Sequence, residues 1–166
     1  MIQVLLRQHI SWIGIFAAVL CLDQVTKIAA RIYLIEYEVI NIIGDYFVLV
    51  LAQNTGAFLS IGSELSEPFH TLLLLGIPAI LLIWGIAYLL RNPKLPNSSK
   101  YTLALILSGG IGNIIDRFAA GSVTDFLFIN LGGWLKTGIF NVADMAIMFG
   151  LGFYILQAFS SPKKSP

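Results

Sequence analysis

Four long apolar stretches dominate this sequence and limit what the chain can fold into. They cover about residues 10–30, 69–90, 101–120 and 139–159. Each is long enough to cross about 30 Å of hydrocarbon as a helix. Only 11% of the residues are charged, whereas ordinary soluble domains carry about a quarter. The sequence therefore predicts an all-α membrane protein in which residues 1–166 form one integral membrane domain with four transmembrane helices.

The connection between the first two spans, residues 31–68, carries a second structural signal. Its β-branched run from Val39 to Val50 is interrupted by Gly44 and Asp45, a pair typical of a turn between strands. We therefore expect a small strand-rich cap over residues 31–68 and a loop over residues 121–138. Within the second span, Pro78 is expected to kink the helix.

Lysine and arginine residues predict the orientation of the four spans. Three segments, namely the N-terminus, the connection between the second and third spans and the C-terminus, contain basic residues and no acidic ones. These residues are Arg7, Arg91, Lys94, Lys100, Lys163 and Lys164. Because basic loops stay on the cytoplasmic side, both termini are predicted to be cytoplasmic. Residues 31–68 and 121–138 are then extracytoplasmic.

Charge, cysteine and histidine content exclude several other classes of function. The net charge of +1 and the scattered basic residues argue against nucleic acid as a partner. Cys21 is the single cysteine and cannot form an internal disulfide. His9 and His70 are predicted at opposite membrane faces, so they cannot share a serine-type triad or a zinc site. We expect no metal site.

Charged residues inside the spans gather at one depth of the membrane. At about 1.5 Å per residue, Asp116 and Asp144 lie roughly 7 Å below the outer ends of their spans, and Asp23 lies roughly 10 Å below. Asp125 follows the third span directly. Ionisable groups in hydrocarbon cost several kcal/mol and need a partner or a purpose. Their common depth therefore predicts a site near the outer face.

Several of these polar residues have structural as well as functional interpretations. Asp23 and Lys27 are four residues apart and can pair on one helix face, so a neutralising ion pair is the interpretation we favour over catalysis. Asp116 and Arg117 point in different directions. We interpret Asp116 as structural and Arg117 as a donor to substrate oxygens, without excluding the reverse. Asn113 either braces a helix or binds the backbone of an extended peptide.

Asp125 and Asp144 form the most informative pair. The loop between them returns the chain to the same membrane face, so their carboxyl groups can meet. Two carboxyl groups in a pocket of low dielectric share one proton, which leaves one as an acid and the other as a base that activates water. This is the chemistry of an aspartic peptidase. Spacing alone fits equally well a proton-relay or ion-binding pair of a transporter.

At these residues the sequence resembles bacterial lipoprotein signal peptidase, the type II signal peptidase. The resemblance runs nearly from end to end and rests on five blocks in order: Asp23-Gln24 with Lys27, Asn54-Thr55-Gly56-Ala57-Phe58, Gly109 to Arg117, Val123-Thr124-Asp125-Phe126, and Phe140-Asn141-Val142-Ala143-Asp144. Phe58-Leu59 departs from the small residue that family members often carry there. A transporter should show internal repeats and polar groups in the inner half of the membrane as well, and neither is apparent in this sequence.

The resemblance implies a fold, an activity and a set of residue roles. It implies a cofactor-free aspartic endopeptidase that removes the signal peptide from diacylglyceryl-modified prolipoproteins, just before the lipidated cysteine. It implies Asp125 and Asp144 as the catalytic dyad, and Asn54, Asn113 and Arg117 as substrate contacts. The supporting residues are expected to be Asp23, Lys27, Gly56, Asp116 and Asn141. We expect a monomer of the bacterial cytoplasmic (inner) membrane whose partners are the lipidated prolipoprotein and membrane lipids.

Overall fold

A computed structural model describes the backbone of residues 2–56, 66 and 68–160, and the side chains of residues 11–56, 66 and 68–159. Within these residues, four helices are long and apolar enough to cross a membrane. A small three-stranded sheet accompanies them, so the predicted combination of four helices with a few strands is confirmed. The elements in chain order are α1 (Ile2–Tyr33), β1 (Ile40–Ile43), β2 (Phe47–Asn54), α2 (Phe69–Arg91), α3 (Asn97–Ala120), β3 (Val123–Ile129) and α4 (Val142–Ser160).

Helix α3 lies at the centre of the bundle and contacts each of the other three helices. Its glycines allow this close approach. A Cβ atom at Gly109 would overlap the carbonyl oxygen of Ala143 in α4, and one at Gly112 would overlap the carboxylate of Asp23 in α1. Small residues at such crossings let helix backbones pack closely in a membrane. The glycines therefore bring α1 and α4 together around α3.

Helix α2 is irregular just before Pro78. Residues Leu72–Gly76 form a π-helical turn, after which the α-helix resumes at Ile77. Because proline has no N–H, Pro78 cannot bond to the carbonyl of Leu74 as an ordinary residue would. A widened turn upstream accommodates the missing bond without ending the helix.

The sheet combines the two connections that we predicted on the outer side. Its strand order is β1-β2-β3, and both pairs are antiparallel. The turn between β1 and β2 contains Gly44 at a φ of +50°, where the sequence indicated a turn. Residues 121–138, which we interpreted only as a loop, contain strand β3. Part of the predicted cap, residues 57–65 and 67, lies outside the described residues.

The chain returns from β3 to α4 along a short extension of the sheet. The backbone N–H of Phe140 donates to the carbonyl of Leu127 at 2.8 Å, and the N–H of Leu127 donates to the carbonyl of Phe140 at 2.8 Å. This reciprocal pair places residue 140 beside β3. Asn141, the next residue, consequently lies beside Asp125 at the point where α4 begins.

Candidate active site

Asp125 lies in the middle of β3, and only 2% of its surface is exposed. It pairs in register with Ala52 of β2, so Asn54, two residues further along, lies on the same face as a diagonal neighbour. Nδ2 of Asn54 donates to Oδ2 of Asp125 at 3.0 Å. Oδ1 of Asn54 accepts the N–H of Gly56 at 3.0 Å, which orients the amide. The strand register therefore provides Asp125 with its first hydrogen-bond donor.

Asp144 lies in the first turn of α4, where Asn141 caps the helix. Oδ1 of Asn141 accepts the N–H of Asp144 at 2.9 Å, and Oδ2 of Asp144 accepts the N–H of Asn141 at 3.2 Å. This reciprocal arrangement is a capping box. The same side chain also donates from Nδ2 to Oδ1 of Asp125 at 2.7 Å. One amide therefore contacts both dyad candidates.

Asn113 of α3 provides a second link to Asp144. Its Nδ2 donates to Oδ1 of Asp144 at 2.8 Å. Its Oδ1 accepts from Nζ of Lys27 at 2.9 Å and from Nδ2 of Asn141 at 3.2 Å. The side chain is buried. Asn113 thus makes three side-chain hydrogen bonds within the protein, one as a donor and two as an acceptor.

Lys27 is fully buried and has three acceptors around its ammonium group. Nζ lies 3.0 Å from Oδ2 of Asp23, 3.2 Å from Oδ2 of Asp116 and 2.9 Å from Oδ1 of Asn113. An ammonium has three N–H donors, so each can be satisfied. The predicted ion pair of Asp23 and Lys27 is present, and Asp116 and Arg31, whose Nη1 lies 3.8 Å from Oδ1 of Asp116, extend it to a cluster of four charges.

The two acidic members of this cluster also accept hydrogen bonds from the backbone next to the dyad candidates. Oδ1 of Asp23 accepts the N–H of Ala143 at 2.9 Å, one residue before Asp144. Oδ2 of Asp116 accepts the N–H of Thr124 at 3.1 Å, one residue before Asp125. The ionic cluster consequently fixes the backbone that precedes each of these two aspartates.

Arg117 contacts the strand end and retains a donor that is free within the described structure. Its Nη2 donates to the carbonyl of Gly56 at 2.6 Å. Its Nε is buried and has no hydrogen-bond partner among the described residues. Arg117 lines a cavity of about 380 Å³ together with Asn54, Asn113, Asp125 and Asp144. This polar cavity is therefore lined by three of the charged residues that the sequence singled out, whereas Asp23, Lys27 and Asp116 are not among its lining residues.

An apolar cavity of about 370 Å³ adjoins the polar one. Both are lined by Ile139, Asp144 and Met148. The further walls of the apolar cavity include Met145 and Phe149. Asp144 therefore borders a polar space on one side and an apolar space on the other.

Burial and a neighbouring charge alter the acidity of Asp125. The pKa of the Asp125 carboxyl group is raised from 3.8 to about 7. The largest cause is burial, and the nearby carboxylate of Asp144 is the second. The hydrogen bonds from Asn54 and Asn141 favour the ionised form and limit the rise. Asp125 can therefore hold a proton near neutral pH while a second carboxyl group nearby carries charge.

The structure brings all the sequence-predicted site residues into one connected network. They are Asp23, Lys27, Asn54, Gly56, Asn113, Asp116, Arg117, Asp125, Asn141 and Asp144. Sequence reasoning missed Arg31, whose Nη1 donates to Oγ1 of Thr124 at 2.8 Å. The same Nη1 lies 3.8 Å from Oδ1 of Asp116. We assigned Arg31 to the outer connection, residues 31–68, and only the tertiary contacts of α1 with α3 and β3 could have indicated these partners.

Comparisons with known proteins agree on one family. A model of the family described as Signal peptidase (SPase) II matches residues 15–160. A lipoprotein signal peptidase of Janthinobacterium sp. (strain Marseille) is 39% identical over 147 residues, which cover 88% of this chain and 86% of the relative. Another, from Burkholderia vietnamiensis (strain G4), is 42% identical over 142 residues, covering 84% and 81%. A solved structure described as a bacterial membrane enzyme superposes with a TM-score of 0.79 at 26% identity, covering 92% of this chain and 94% of that one.

Proposed function

Because the chain belongs to the signal peptidase II family of membrane aspartic peptidases, we propose that it removes signal peptides from diacylglyceryl-modified prolipoproteins. The bond hydrolysed is the one just before the lipidated cysteine, and the catalytic dyad is Asp125 and Asp144. The observation that carries this proposal is that Asn141 hydrogen-bonds to both aspartates while both line one polar cavity.

In the proposed mechanism the two carboxyl groups share one proton. The ionised group accepts a proton from a water molecule, and the water oxygen attacks the carbonyl carbon of the scissile peptide bond. The protonated group then donates its proton to the departing amine nitrogen as the carbon–nitrogen bond breaks. The raised pKa of Asp125, about 7, supports such sharing near neutral pH. Hydrogen bonds from Asn54, Asn113 and Asn141 hold the carboxyl oxygens in place.

Arg117 is the proposed donor to the peptide backbone of the substrate. Its buried Nε has no partner among the described residues, and the residue is one of those that line the polar cavity. An unsatisfied buried donor is costly, and a carbonyl oxygen of an extended peptide would satisfy it. Asn54 and Asn113 line the same cavity and are proposed as further substrate contacts. Their hydrogen bonds to Asp125 and Asp144 also orient the carboxyl groups of the dyad.

The two cavities together suit a substrate that is part peptide and part lipid. A diacylglyceryl group confines the scissile bond to the membrane interface. The apolar walls formed by Met145, Met148 and Phe149 can receive acyl chains beside Asp144, while the polar cavity receives the peptide. This arrangement supports the choice of a lipidated over an unmodified prolipoprotein.

We also propose that the sheet and the dyad lie on the outer side of the inner membrane and that both termini are cytoplasmic. The transmembrane spans are then about residues 10–30, 69–90, 101–120 and 139–159. The basic connection between α2 and α3, with Arg91, Lys94 and Lys100 and without acidic residues, supports this orientation. Reporter fusions after Lys94 and after Asp45 distinguish the two orientations.

The proposed activity is tested by incubating the purified protein with a lipidated prolipoprotein and following release of the signal peptide. The same prolipoprotein without its diacylglyceryl group serves as the matched control. We expect cleavage of the lipidated form and little cleavage of the other. Absence of cleavage in well-folded protein, together with proton or ion flux in reconstituted vesicles, would contradict the proposal.

A further inference from the structure

A compact hairpin tip, residues 131–136, projects between β3 and α4. Its backbone is closed internally, because the N–H of Leu131 donates to the carbonyl of Leu135 at 2.8 Å and the N–H of Leu135 donates to that of Gly132 at 3.1 Å. Gly132 and Gly133 have φ angles of +93° and +58°, a region that favours glycine. The backbone thus forms a tight turn that leaves its side chains pointing outward.

The side chains of this hairpin tip are apolar and strongly exposed. Trp134 is 88% exposed, Leu131 64% and Leu135 48%. The whole segment 126–143 contains no aspartate or glutamate, and Lys136 is its only charged residue. Within the described structure, the indole N–H of Trp134 has no hydrogen-bond partner. Three adjacent apolar side chains on one short turn are unfavourable in water and indicate a surface that something covers.

The position of the hairpin tip indicates what covers it. At its base, the N–H of Asn130 donates to the carbonyl of Tyr46 at 2.9 Å, and the side chain of Tyr46 is exposed. The chain then enters the span Val142–Phe159 a few residues later. Tyr33, at the end of α1, is also exposed at this end of the bundle. Exposed tryptophan and tyrosine at the ends of spans are typical of the membrane–water interface.

We propose that residues 131–136 insert into the headgroup region of the bilayer that surrounds the helices. Leu131 and Leu135 contact the upper acyl chains, the indole N–H of Trp134 donates to lipid carbonyl or phosphate oxygens, and Lys136 extends towards the phosphates. The occupant of this surface is thus phospholipid. The inference needs only the membrane location of the helices and does not depend on the proposed peptidase activity.

Insertion would have a direct consequence for the apolar cavity. Lys136 is part of the hairpin tip and also lines that cavity, beside Asp144. Anchoring the hairpin tip in the headgroup region would therefore hold the mouth of the cavity at the depth where lipid esters lie. A lipid chain could enter it without crossing water.

Fluorine NMR of the protein in nanodiscs tests the insertion directly. The chain has three tryptophans, Trp12, Trp84 and Trp134, so 5-fluorotryptophan labelling gives three resonances with the protein otherwise unchanged. Trp134→Phe and Trp84→Phe assign two of them. The relaxation rate of each fluorine resonance is then measured with three paramagnetic probes. They are phospholipid spin-labelled at the headgroup, phospholipid spin-labelled deep in the acyl chain, and a gadolinium chelate in water. Trp84, exposed on the span-forming helix α2, is the internal reference.

We expect headgroup-labelled lipid to relax the Trp134 resonance several-fold more than either the deep label or the aqueous chelate. Strong relaxation by the chelate with no effect of labelled lipid would overturn the proposal, because Trp134 would then lie in water. A Trp134 shift that depends on the number of protein copies per nanodisc, without lipid relaxation, would also overturn it and would indicate a second copy as the occupant.

Discussion

Nδ2 of Asn141 lies 2.7 Å from Oδ1 of Asp125, although the two residues belong to different elements. Oδ1 of the same asparagine caps helix α4 at Asp144. A residue that would pass as an ordinary helix cap therefore couples the strand that carries one aspartate to the helix that carries the other. Through these two contacts Asn141 holds Asp125 and Asp144 at a fixed position relative to each other.

Two substitutions of Asn141 separate its role as the cap of helix α4 from its role as a hydrogen-bond donor to Asp125. Asn141→Ser retains a capping oxygen but loses the donor to Asp125, whereas Asn141→Ala loses both. We expect the serine variant to keep near-normal thermal stability and the alanine variant to lose about 0.5–2 kcal/mol of unfolding free energy. Both should show a strongly reduced kcat, measured on a lipidated prolipoprotein. Full activity of the serine variant would show that the bond to Asp125 is dispensable.

Conversion of either dyad aspartate to asparagine should abolish nearly all turnover. Asp125→Asn and Asp144→Asn keep the size of the side chain but cannot act as acid or base. The double variant should be little worse than each single one, because the two groups act as a unit. Rates are compared with membrane insertion and thermal unfolding of the same preparations. Near-normal cleavage by a well-inserted single variant would refute the dyad.

The raised pKa of Asp125 predicts a dependence of activity and stability on pH. As the pH rises through about 7, the dyad loses its shared proton and activity should fall; at much lower pH both groups are protonated and activity should fall again. Protonated Asp125 also favours the folded state. Its contribution is complete below 3.8 and is lost as the pH rises to about 7. Thermal melts across this range should therefore show a steeper decline for the wild type than for Asp125→Asn.

Lys27 is predicted to be required for stability. Lys27→Met leaves the buried carboxylate of Asp23 without its cation and leaves Asp116 with only Arg31, whose Nη1 lies 3.8 Å from Oδ1 of Asp116. Breaking a buried ion pair typically costs about 3–5 kcal/mol, so we expect early thermal unfolding in detergent. Adding Asp23→Asn should recover part of the loss by removing the uncompensated charge. Lys94→Met, at an exposed lysine in the connection between α2 and α3, is the matched control and should unfold like the wild type.

Arg117 and Asn113 should respond differently to alanine. Arg117→Ala removes the proposed substrate donor and one hydrogen bond within the protein, to the carbonyl of Gly56. It should cost roughly 1.5–3 kcal/mol in kcat/KM, with a smaller change in the melting temperature than Asn113→Ala. Asn113→Ala also removes bonds to Lys27 and Asp144 within the protein, so it should lower both activity and stability. Steady-state kinetics and thermal melts on the two variants check this. An Arg117→Ala protein that unfolds early but is fully active would assign that residue a structural role.

Hydropathy and charge in the sequence were enough to predict the helical part of the fold. The four apolar stretches are local features, and each is recognisable because a helix in lipid satisfies its own backbone. The common depth of Asp23, Asp116 and Asp144 followed from helical rise alone. The spacing of Asp23 and Lys27 likewise predicted their ion pair, because residues four apart share a helix face.

Tertiary structure decided how these parts meet. Strand β3 was missed because its partner β2 lies far away in the sequence, and pairing over such separations leaves little local trace. The bonds between Leu127 and Phe140 place Asn141 beside Asp125. Helix packing through Gly109 and Gly112 brings Asp23 within reach of the N–H of Ala143. The sequence by itself determined which residues are charged and which helices carry them, because both are local features; only long-range strand register and helix contact decided which atoms they bind.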